Sequence, residues 1–170
     1  MTSPVRSIIL VRHAHAGDRS TATGPDYLRT LSERGELQAA QIAEVLTPAE
    51  PEYILSSRAV RCISTMDPLA RAVKREITEV DSLFEGSDPR DAWAAIENIV
   101  AASSGTIIAC SHGDVVPGII ELLMERGLEL ESPPKIKKGS MTFLGLEGTE
   151  VRSLFVLRPT DGLVSTPEDE

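Results

Sequence analysis

Two histidines and an arginine stand where a buried strand is predicted to end. The consecutive β-favouring apolar residues from Ile8 to Val11 predict a strand that is covered on both faces. Arg12, His13 and His15 follow, and charged or titratable side chains rarely end such a strand unless they contact something there. Ligands of open α/β sheets bind at the carboxyl ends of the strands. An imidazole beside a guanidinium at that edge predicts a nucleophile next to a phosphate-binding group.

A second predicted strand ends in the same way. Residues 106–110 form another apolar run, which leads into a polar cluster that contains His112. If this strand lies parallel to the first and next to it, His13 and His112 emerge side by side at one edge of the sheet. A further strand would deliver Arg58 and Arg61, near the start of the helix that follows it, to the same edge. The sequence therefore predicts one site built from distant segments.

The periodicity of apolar residues predicts strands that alternate with helices. Strands are expected at residues 7–11, 52–55, 76–80, 106–110, 141–146 and 151–157, and helices at 33–46, 59–73, 89–102 and 115–126. Ser32, Asp114 and either Ser87 or Asp88 are the expected helix caps. The apolar stripe of the first helix is expected to comprise Leu37, Ala40, Ile42, Ala43, Val45 and Leu46. This order predicts an α/β three-layer sandwich: a mostly parallel central sheet, helices on both faces and a C-terminal β-hairpin.

Length and composition restrict the class of protein. A chain of 170 residues can form one domain with a sizeable core, expected over residues 1–158, and the acidic residues 159–170 are expected to form a disordered tail. A formal net charge of −9 argues against nucleic-acid binding, which needs a basic surface. No apolar run is long enough for a membrane span or a secretory signal. With Cys62 and Cys110 expected as buried thiols, the predicted location is the cytoplasm.

Five segments resemble the motifs of the histidine phosphatase superfamily, in the order in which that family carries them. Residues 11–14 are similar to its RHG signature in the RHA form, and residues 31–39 resemble its LTxxGxxQA helix start. Residues 55–65 resemble the SSxxxRxxxT segment, residues 83–86 lie where many members carry an acidic residue, and residues 111–114 resemble the late histidine motif. The RHA form is typical of the small branch that contains the bacterial phosphohistidine phosphatase SixA.

The resemblance implies a phosphoglycerate-mutase-like fold and a set of roles. His13 would be the nucleophile that is transiently phosphorylated. Arg12, Arg61 and His112 would surround the transferred phosphoryl group, with no metal or other cofactor. Glu85 lies where the proton donor of the family is often found.

Three further residues are candidates for substrate binding. Arg19 lies in a polar loop and is expected either to reach substrate from a mobile lid or to remain solvated. Ser111 and Gly113 flank the late histidine and are expected to contact the phosphoryl group. Ala14 replaces the glycine of the signature, which is usual in the SixA branch.

Several nearby side chains have ordinary structural explanations. His13 and His15 could bind zinc from one face of an extended segment, but no third ligand follows and Arg12 would repel the cation. We expect His15 at the rim of the site or in solvent, Arg58 on a solvated helix face, and Asp114 chiefly as a helix cap. A solvated turn is the expected setting of Lys135, Lys137 and Lys138, with attraction of an anionic substrate as the alternative.

The expected function is the removal of phosphate through a covalent phosphohistidine on His13. The expected substrates are a phosphorylated protein histidine or a small phosphorylated metabolite or nucleotide. A carboxylic acid such as Glu85 would protonate a poor leaving group, whereas a phosphohistidine or pyrophosphate substrate needs an acid less. The alternatives are a nucleotide or pyrophosphate phosphohydrolase, a phosphoglycerate-mutase-like phosphotransferase, and a non-catalytic phosphate-binding module.

Overall fold

The computed structural model describes residues 6–159, which form a six-stranded sheet with two helices on each face. The strands are β1 Arg6–Arg12, β2 Tyr53–Ser56, β3 Ile77–Glu79, β4 Ile107–Ser111, β5 Met141–Glu147 and β6 Glu150–Leu157, and the helices are α1 Glu33–Leu46, α2 Val60–Val73, α3 Pro89–Ala101 and α4 Val115–Glu125. These bounds agree with the predicted elements to within about one or two residues. The predicted tail over 159–170 lies outside the described residues, apart from Pro159.

The sheet is mostly parallel and its strand order is β3-β2-β4-β1-β5-β6. The strands β1, β2, β3 and β4 run parallel to their neighbours, while β5 pairs antiparallel with β1 and continues into the hairpin β5–β6. The predicted α/β sandwich with a C-terminal hairpin is therefore confirmed. Because β1 and β4 are adjacent and parallel, their carboxyl ends lie at the same edge of the sheet.

Two aliphatic layers hold the helices against the sheet. One joins α3 and α4 to one face of the sheet through side chains such as Ile8, Ile96 and Ile119. The other joins α1 and α2 to the opposite face through side chains such as Ile9, Ile42 and Met66. Alternate residues of β1 thus point into different layers, as the pleat of a strand requires. This double coverage explains why the strands are continuously apolar.

Half of the predicted apolar stripe of the first helix is buried, namely Ile42, Ala43 and Leu46. Leu37, expected in the buried stripe, is 58% exposed, and Val45 is also exposed, whereas Gln38 is buried. The Gln38 side-chain oxygen accepts the backbone N–H of His15 at 2.8 Å. A Cβ atom on Gly35 would lie 1.9 Å from the backbone oxygen of His15. The N-terminal turns of α1 therefore dock on the segment that follows β1, and this contact decides which face of the helix is buried.

Three predicted helix caps are observed. The hydroxyl of Ser32 accepts from the backbone N–H of Gly35 and caps α1, and Asp88 caps α3. Asp114 accepts from the backbone N–H of Val115 at 2.9 Å and caps α4. No helix within residues 6–159 has the length and hydropathy needed to cross a membrane.

Candidate active site

A cavity of about 500 Å³ opens at the carboxyl ends of the central parallel strands. The residues that line it are Arg12, His13, Gly17, Asp18, Arg19, Arg29, Glu85, Gly113, Asp114 and Lys138. His13 follows β1 and Gly113 follows β4, so the two strands with the shared design meet at this cavity. The strand register pairs Arg12 with Ser111, which places the two predicted histidines side by side.

His13 is oriented by a hydrogen bond within its own turn. Its side chain is 5% exposed, and its Nδ1 lies 2.8 Å from the backbone oxygen of Ala14. Since a carbonyl can only accept, Nδ1 carries the proton and the lone pair is on Nε2. Burial, despite the opposing Ala14 hydrogen bond and together with the charges of Arg61, His112 and Arg12, lowers the pKa of His13 to about 2. The ring is therefore neutral over the usual range of assay pH.

His112 is tied by the opposite nitrogen. Its Nε2 lies 2.8 Å from the hydroxyl oxygen of Ser57, while its Nδ1 lies 3.3 Å from Nη2 of Arg61. The ring centroids of His13 and His112 are 5.4 Å apart, with an angle of 65° between the ring planes. The ring of His112 is buried, and Arg61, Ser57, Cys62 and Phe84 contact it. Both imidazoles thus present their other nitrogen to the same guanidinium.

Arg61 lies between the two histidines in the first turn of α2. Its side chain is 1% exposed, and its Nε donates to Nε2 of His13 at 3.4 Å. The hydroxyl of Thr65 donates to the backbone oxygen of Arg61 at 2.6 Å and accepts from the backbone N–H of Ala14 at 3.0 Å. This hydroxyl connects the start of α2 to the residue after the first histidine. Of the two predicted arginines, Arg61 is the one beside the histidines.

Arg12 is held at the other side of the cavity. Its Nη1 donates to the backbone oxygen of Ile136 at 2.7 Å, and its buried Nε has no hydrogen-bond partner among the described residues. A Cβ atom on Gly113 would lie 2.6 Å from the Cζ of Arg12. Gly113 therefore leaves the space that this guanidinium occupies. An N–H group without a partner beside a cavity is suited to receive an anionic oxygen.

Glu85 and Arg19 meet at the mouth of the cavity. Glu85 Oε1 accepts from Nη2 of Arg19 at 2.9 Å, and Glu85 Oε2 accepts from Nη2 of Arg61 at 3.2 Å. Arg19 is 63% exposed. The carboxyl group and the loop arginine are thus brought next to Arg61 from two segments that are distant in sequence.

Contacts with other segments hold Ser111 and His15, and the prediction that His15 lies at the rim of the site or in solvent is wrong. The hydroxyl of Ser111 is buried and donates to the backbone oxygen of Leu83 at 2.6 Å, so it supports the turn before Glu85 and does not line the cavity. His15 is buried rather than at the rim, and its Nδ1 lies 2.7 Å from the hydroxyl of Ser32. In both cases a contact from another segment, which is invisible locally, decides the direction of the side chain.

Two other predictions agree with the contacts. Arg58 lies at the surface as predicted, although it precedes α2 instead of lying on a helix face, and its guanidinium stacks 3.9 Å above the ring of Phe84. Asp114 caps its helix and also accepts the backbone N–H of Gly86 at 2.7 Å, which fixes the loop that carries Glu85. Cys62 and Cys110 are buried free thiols.

Sequence reasoning missed two residues that contact the site. Ser57 holds Nε2 of His112, and its only sequence signal is a pair of serines at the end of a buried strand. Asp26 accepts from Nη2 of Arg61 at 3.1 Å, and nothing in its local sequence indicates this contact. Within the described part of the chain, no group of three or more histidine, cysteine or acidic side chains could hold a metal ion. Nε2 of His13, the ring nitrogen that a zinc ion would need, faces the guanidinium of Arg61 at 3.4 Å.

The α/β sheet brings two imidazoles, which are held through opposite ring nitrogens, and two arginines together at its carboxyl edge. A family model described as the histidine phosphatase superfamily (branch 1) matches residues 8–87. This match confirms the resemblance to that superfamily which the order of the motifs predicted.

Other proteins resemble this chain in sequence or in fold. The chain is 31% identical over 158 residues to the 8-oxo-(d)GTP phosphatase of Mycolicibacterium smegmatis, covering 92% of this chain and 49% of that protein. The chain thus spans about half the length of this curated relative. The protein histidine phosphatase SixA complexed with tungstate has a similar fold, with a TM-score of 0.76 and 16% identity over 89% of this chain and 96% of that chain. A mycobacterial glucosyl-3-phosphoglycerate phosphatase matches with a TM-score of 0.65 and 18% identity, over 89% and 97% of the two chains.

Proposed function

We propose that the protein is a phosphatase that needs no metal ion and that forms a covalent phosphohistidine on Nε2 of His13. The observation that carries this proposal is the 2.8 Å hydrogen bond from Nδ1 of His13 to the backbone oxygen of Ala14. It fixes the tautomer with a lone pair on Nε2, and burial keeps the ring neutral. A neutral, oriented imidazole nitrogen facing a guanidinium is prepared to attack phosphorus.

In the first step, Nε2 of His13 forms a bond to phosphorus as the bond from phosphorus to the leaving oxygen breaks. The leaving oxygen takes a proton. Nδ1 of His13 keeps its own proton, which is hydrogen-bonded to the backbone oxygen of Ala14. Arg12 and Arg61 would donate N–H groups to the oxygens of the phosphoryl group, and Nδ1 of His112 lies beside Nη2 of Arg61 at 3.3 Å. Positioning and neutralisation of charge dominate phosphoryl transfer, so this donor set can replace a metal ion.

In the second step, a water molecule attacks phosphorus, the bond from phosphorus to Nε2 breaks, and inorganic phosphate leaves. Glu85 is our candidate to supply the proton in the first step and to take one from water in the second. Its carboxylate contacts Arg61 and Arg19. An incoming phosphoryl group that takes the N–H groups of Arg61 would free Glu85 to reach the leaving oxygen.

The proposed substrates are a phosphorylated protein histidine or a small phosphoester. The side chains that line the cavity are charged or imidazole, with two glycines between them. Such a lining favours a polar phosphorylated group over an apolar one. Because Arg19 at the mouth of the cavity is exposed, a phosphohistidine carried by another protein could enter the cavity there.

A nucleotide or pyrophosphate phosphohydrolase is the second candidate. It is favoured by the 31% identity to a protein named 8-oxo-(d)GTP phosphatase. A phosphoanhydride has a good leaving group, so this activity would depend little on Glu85. A phosphoglycerate-mutase-like phosphotransferase is less favoured, because such an enzyme must shield the phosphohistidine from water and this cavity is open.

The decisive test measures turnover of p-nitrophenyl phosphate in the presence of a chelator, with trapping of the phosphoenzyme in alkali. We expect wild-type protein to hydrolyse p-nitrophenyl phosphate and to yield an acid-labile, alkali-stable phosphohistidine. His13→Asn should do neither. A panel of phosphorylated proteins, sugar phosphates and nucleotides then ranks the substrates. Phosphate binding without turnover on any of these compounds would instead support a binding module, and metal-dependent turnover by His13→Asn would contradict the proposal.

A further inference from the structure

Four charged side chains form a closed ring of alternating sign beside the histidines. The ring consists of Asp26, Arg61, Glu85 and Arg19. Nη2 of Arg61 lies 3.1 Å from Oδ2 of Asp26 and 3.2 Å from Oε2 of Glu85. Arg19 closes the ring, with its Nη2 at 2.9 Å from Oε1 of Glu85 and its Nε at 3.4 Å from Oδ1 of Asp26. Among the four, Arg61 is the only buried side chain, and both half-buried carboxylates contact it.

Asp26 contacts Arg61 through both its side chain and its backbone. Besides the carboxylate contact, the backbone oxygen of Asp26 accepts from Nη1 of Arg61 at 3.1 Å. The remaining edge of the guanidinium faces the rings of His13 and His112. Asp26 therefore holds one edge of the guanidinium while the other edge faces the reacting nitrogen.

Asp26 is itself anchored to the end of β1. Its Oδ1 accepts from Nε of Arg29 at 3.2 Å, and Nη1 of Arg29 donates to the backbone oxygen of Ala16 at 2.9 Å. Ala16 lies three residues after His13. The segment that carries the nucleophile thus fixes the position of Arg61 through the contacts of Arg29 and Asp26. Burial acts to raise the pKa of Asp26, but the charge of Arg61, the hydrogen bond from Arg29 and the charges of Arg29 and Arg19 together lower it below its ordinary value.

We propose that Asp26 is a positioning residue that holds the Arg61 guanidinium in line with Nε2 of His13. The inference rests on the function proposed above. Asp26 cannot bind an anionic substrate, since its carboxylate repels phosphate. Asp26 restricts the long side chain of Arg61. Without Asp26, this side chain would follow Glu85, the second carboxylate in the ring, when Glu85 moves to the leaving group. Such restriction acts in the transition state and not on the affinity for phosphate.

The test compares Asp26→Asn with wild type and with the control Asp67→Asn. Asp67 lies on the same helix as Arg61 but pairs with Arg71, away from the cavity lining. For Asp26→Asn we expect kcat on p-nitrophenyl phosphate to fall by about tenfold to a hundredfold, the range for a misplacement of about 1 Å. The inhibition constant of inorganic phosphate should stay equal or become smaller, because a repelling charge has been removed. Asp67→Asn should match wild type in both quantities.

Thermal unfolding and single-turnover formation of the phosphoenzyme separate positioning from simple instability. The proposal requires slow phosphoenzyme formation in a sample of Asp26→Asn that is folded at the assay temperature. If that variant does not fold, Asp26→Glu retains the charge, shifts it by one methylene and should show a smaller fall in kcat. A folded Asp26→Asn with wild-type kcat, or one in which weaker phosphate binding explains the whole loss, would overturn the inference. Inactive wild-type protein would instead overturn the proposed function.

Discussion

The hydroxyl oxygen of Ser57 lies 2.8 Å from Nε2 of His112, on the side of the ring away from Arg61. Ser57 also accepts from the backbone N–H of Ala59 at 3.3 Å, just before α2 begins. The end of β2 therefore orients a histidine that follows β4. In consequence Nδ1 of His112 faces the guanidinium, while for His13 the free nitrogen is Nε2.

Replacing Ser57 with alanine should reduce activity more than stability explains. We expect kcat to fall about tenfold, which corresponds to one lost hydrogen bond of about 1.4 kcal/mol. Ser56→Ala is the matched control, because its buried hydroxyl donates to the backbone oxygen of Ser57 at 2.8 Å and does not contact a histidine. Steady-state kinetics and melting curves should show similar loss of stability in both variants and a fall in kcat in Ser57→Ala alone. Equal kinetics in the two would exclude an orienting role.

The dependence of the rate on the leaving group tests whether Glu85 donates a proton. If Glu85 donates the proton, Glu85→Gln should lower kcat/KM by about a hundredfold for an alkyl phosphate and by less than about threefold for p-nitrophenyl phosphate. The reason is that an alkoxide needs a proton, whereas p-nitrophenolate leaves without one. Rates with a series of phosphoesters of graded leaving-group pKa measure this dependence. A uniform fall across the series would assign Glu85 to the support of Arg61 instead.

Two glycine substitutions should have opposite consequences. A Cβ atom on Gly113 would lie 2.6 Å from the Cζ of Arg12, at the flexible end of a side chain. Gly113→Ala should therefore displace the guanidinium and raise KM by about tenfold, with little change in melting temperature. On Gly35 the added atom would meet the backbone oxygen of His15 at 1.9 Å, so Gly35→Ala should cost about 2–3 kcal/mol of stability. Kinetics and urea unfolding of both variants check this contrast.

The buried His13 should make the protein less stable in acid. Its pKa is lowered to about 2 in the folded state by burial, against about 6.5 when unfolded. Between these values the unfolded state binds the extra proton, so stability is lost as the pH falls through 6.5 toward 2. From pH 6.5 to 4.5, wild type should lose about 2 kcal/mol more than His13→Asn, which has no such group. Urea unfolding at several pH values measures the difference, and parallel curves for the two proteins would contradict it.

Local sequence was sufficient for the fold and for much of the site. Buried strands are recognised by their continuous apolar residues, and a polar group that ends such a strand must lie at the edge of the sheet. For this reason the sequence alone predicts that His13 and His112 lie side by side. Ser32 and Asp114 are likewise predicted as helix caps from residue type and position. The motif register also distinguished Arg61 from Arg58, which lies on the outside against Phe84.

The tertiary structure alone decided how those side chains are held. The contacts of Ser57 with His112 and of Asp26 with Arg61 join residues 55 and 35 positions apart, respectively. The buried settings of His15 and Ser111 likewise depend on segments that meet only after folding. A side chain's direction depends on which distant atoms can satisfy its hydrogen bonds, and periodicity along the chain carries no record of those partners. The identity and order of the residues therefore determined which groups reach the site. Long-range packing determined which nitrogen of each histidine faces Arg61.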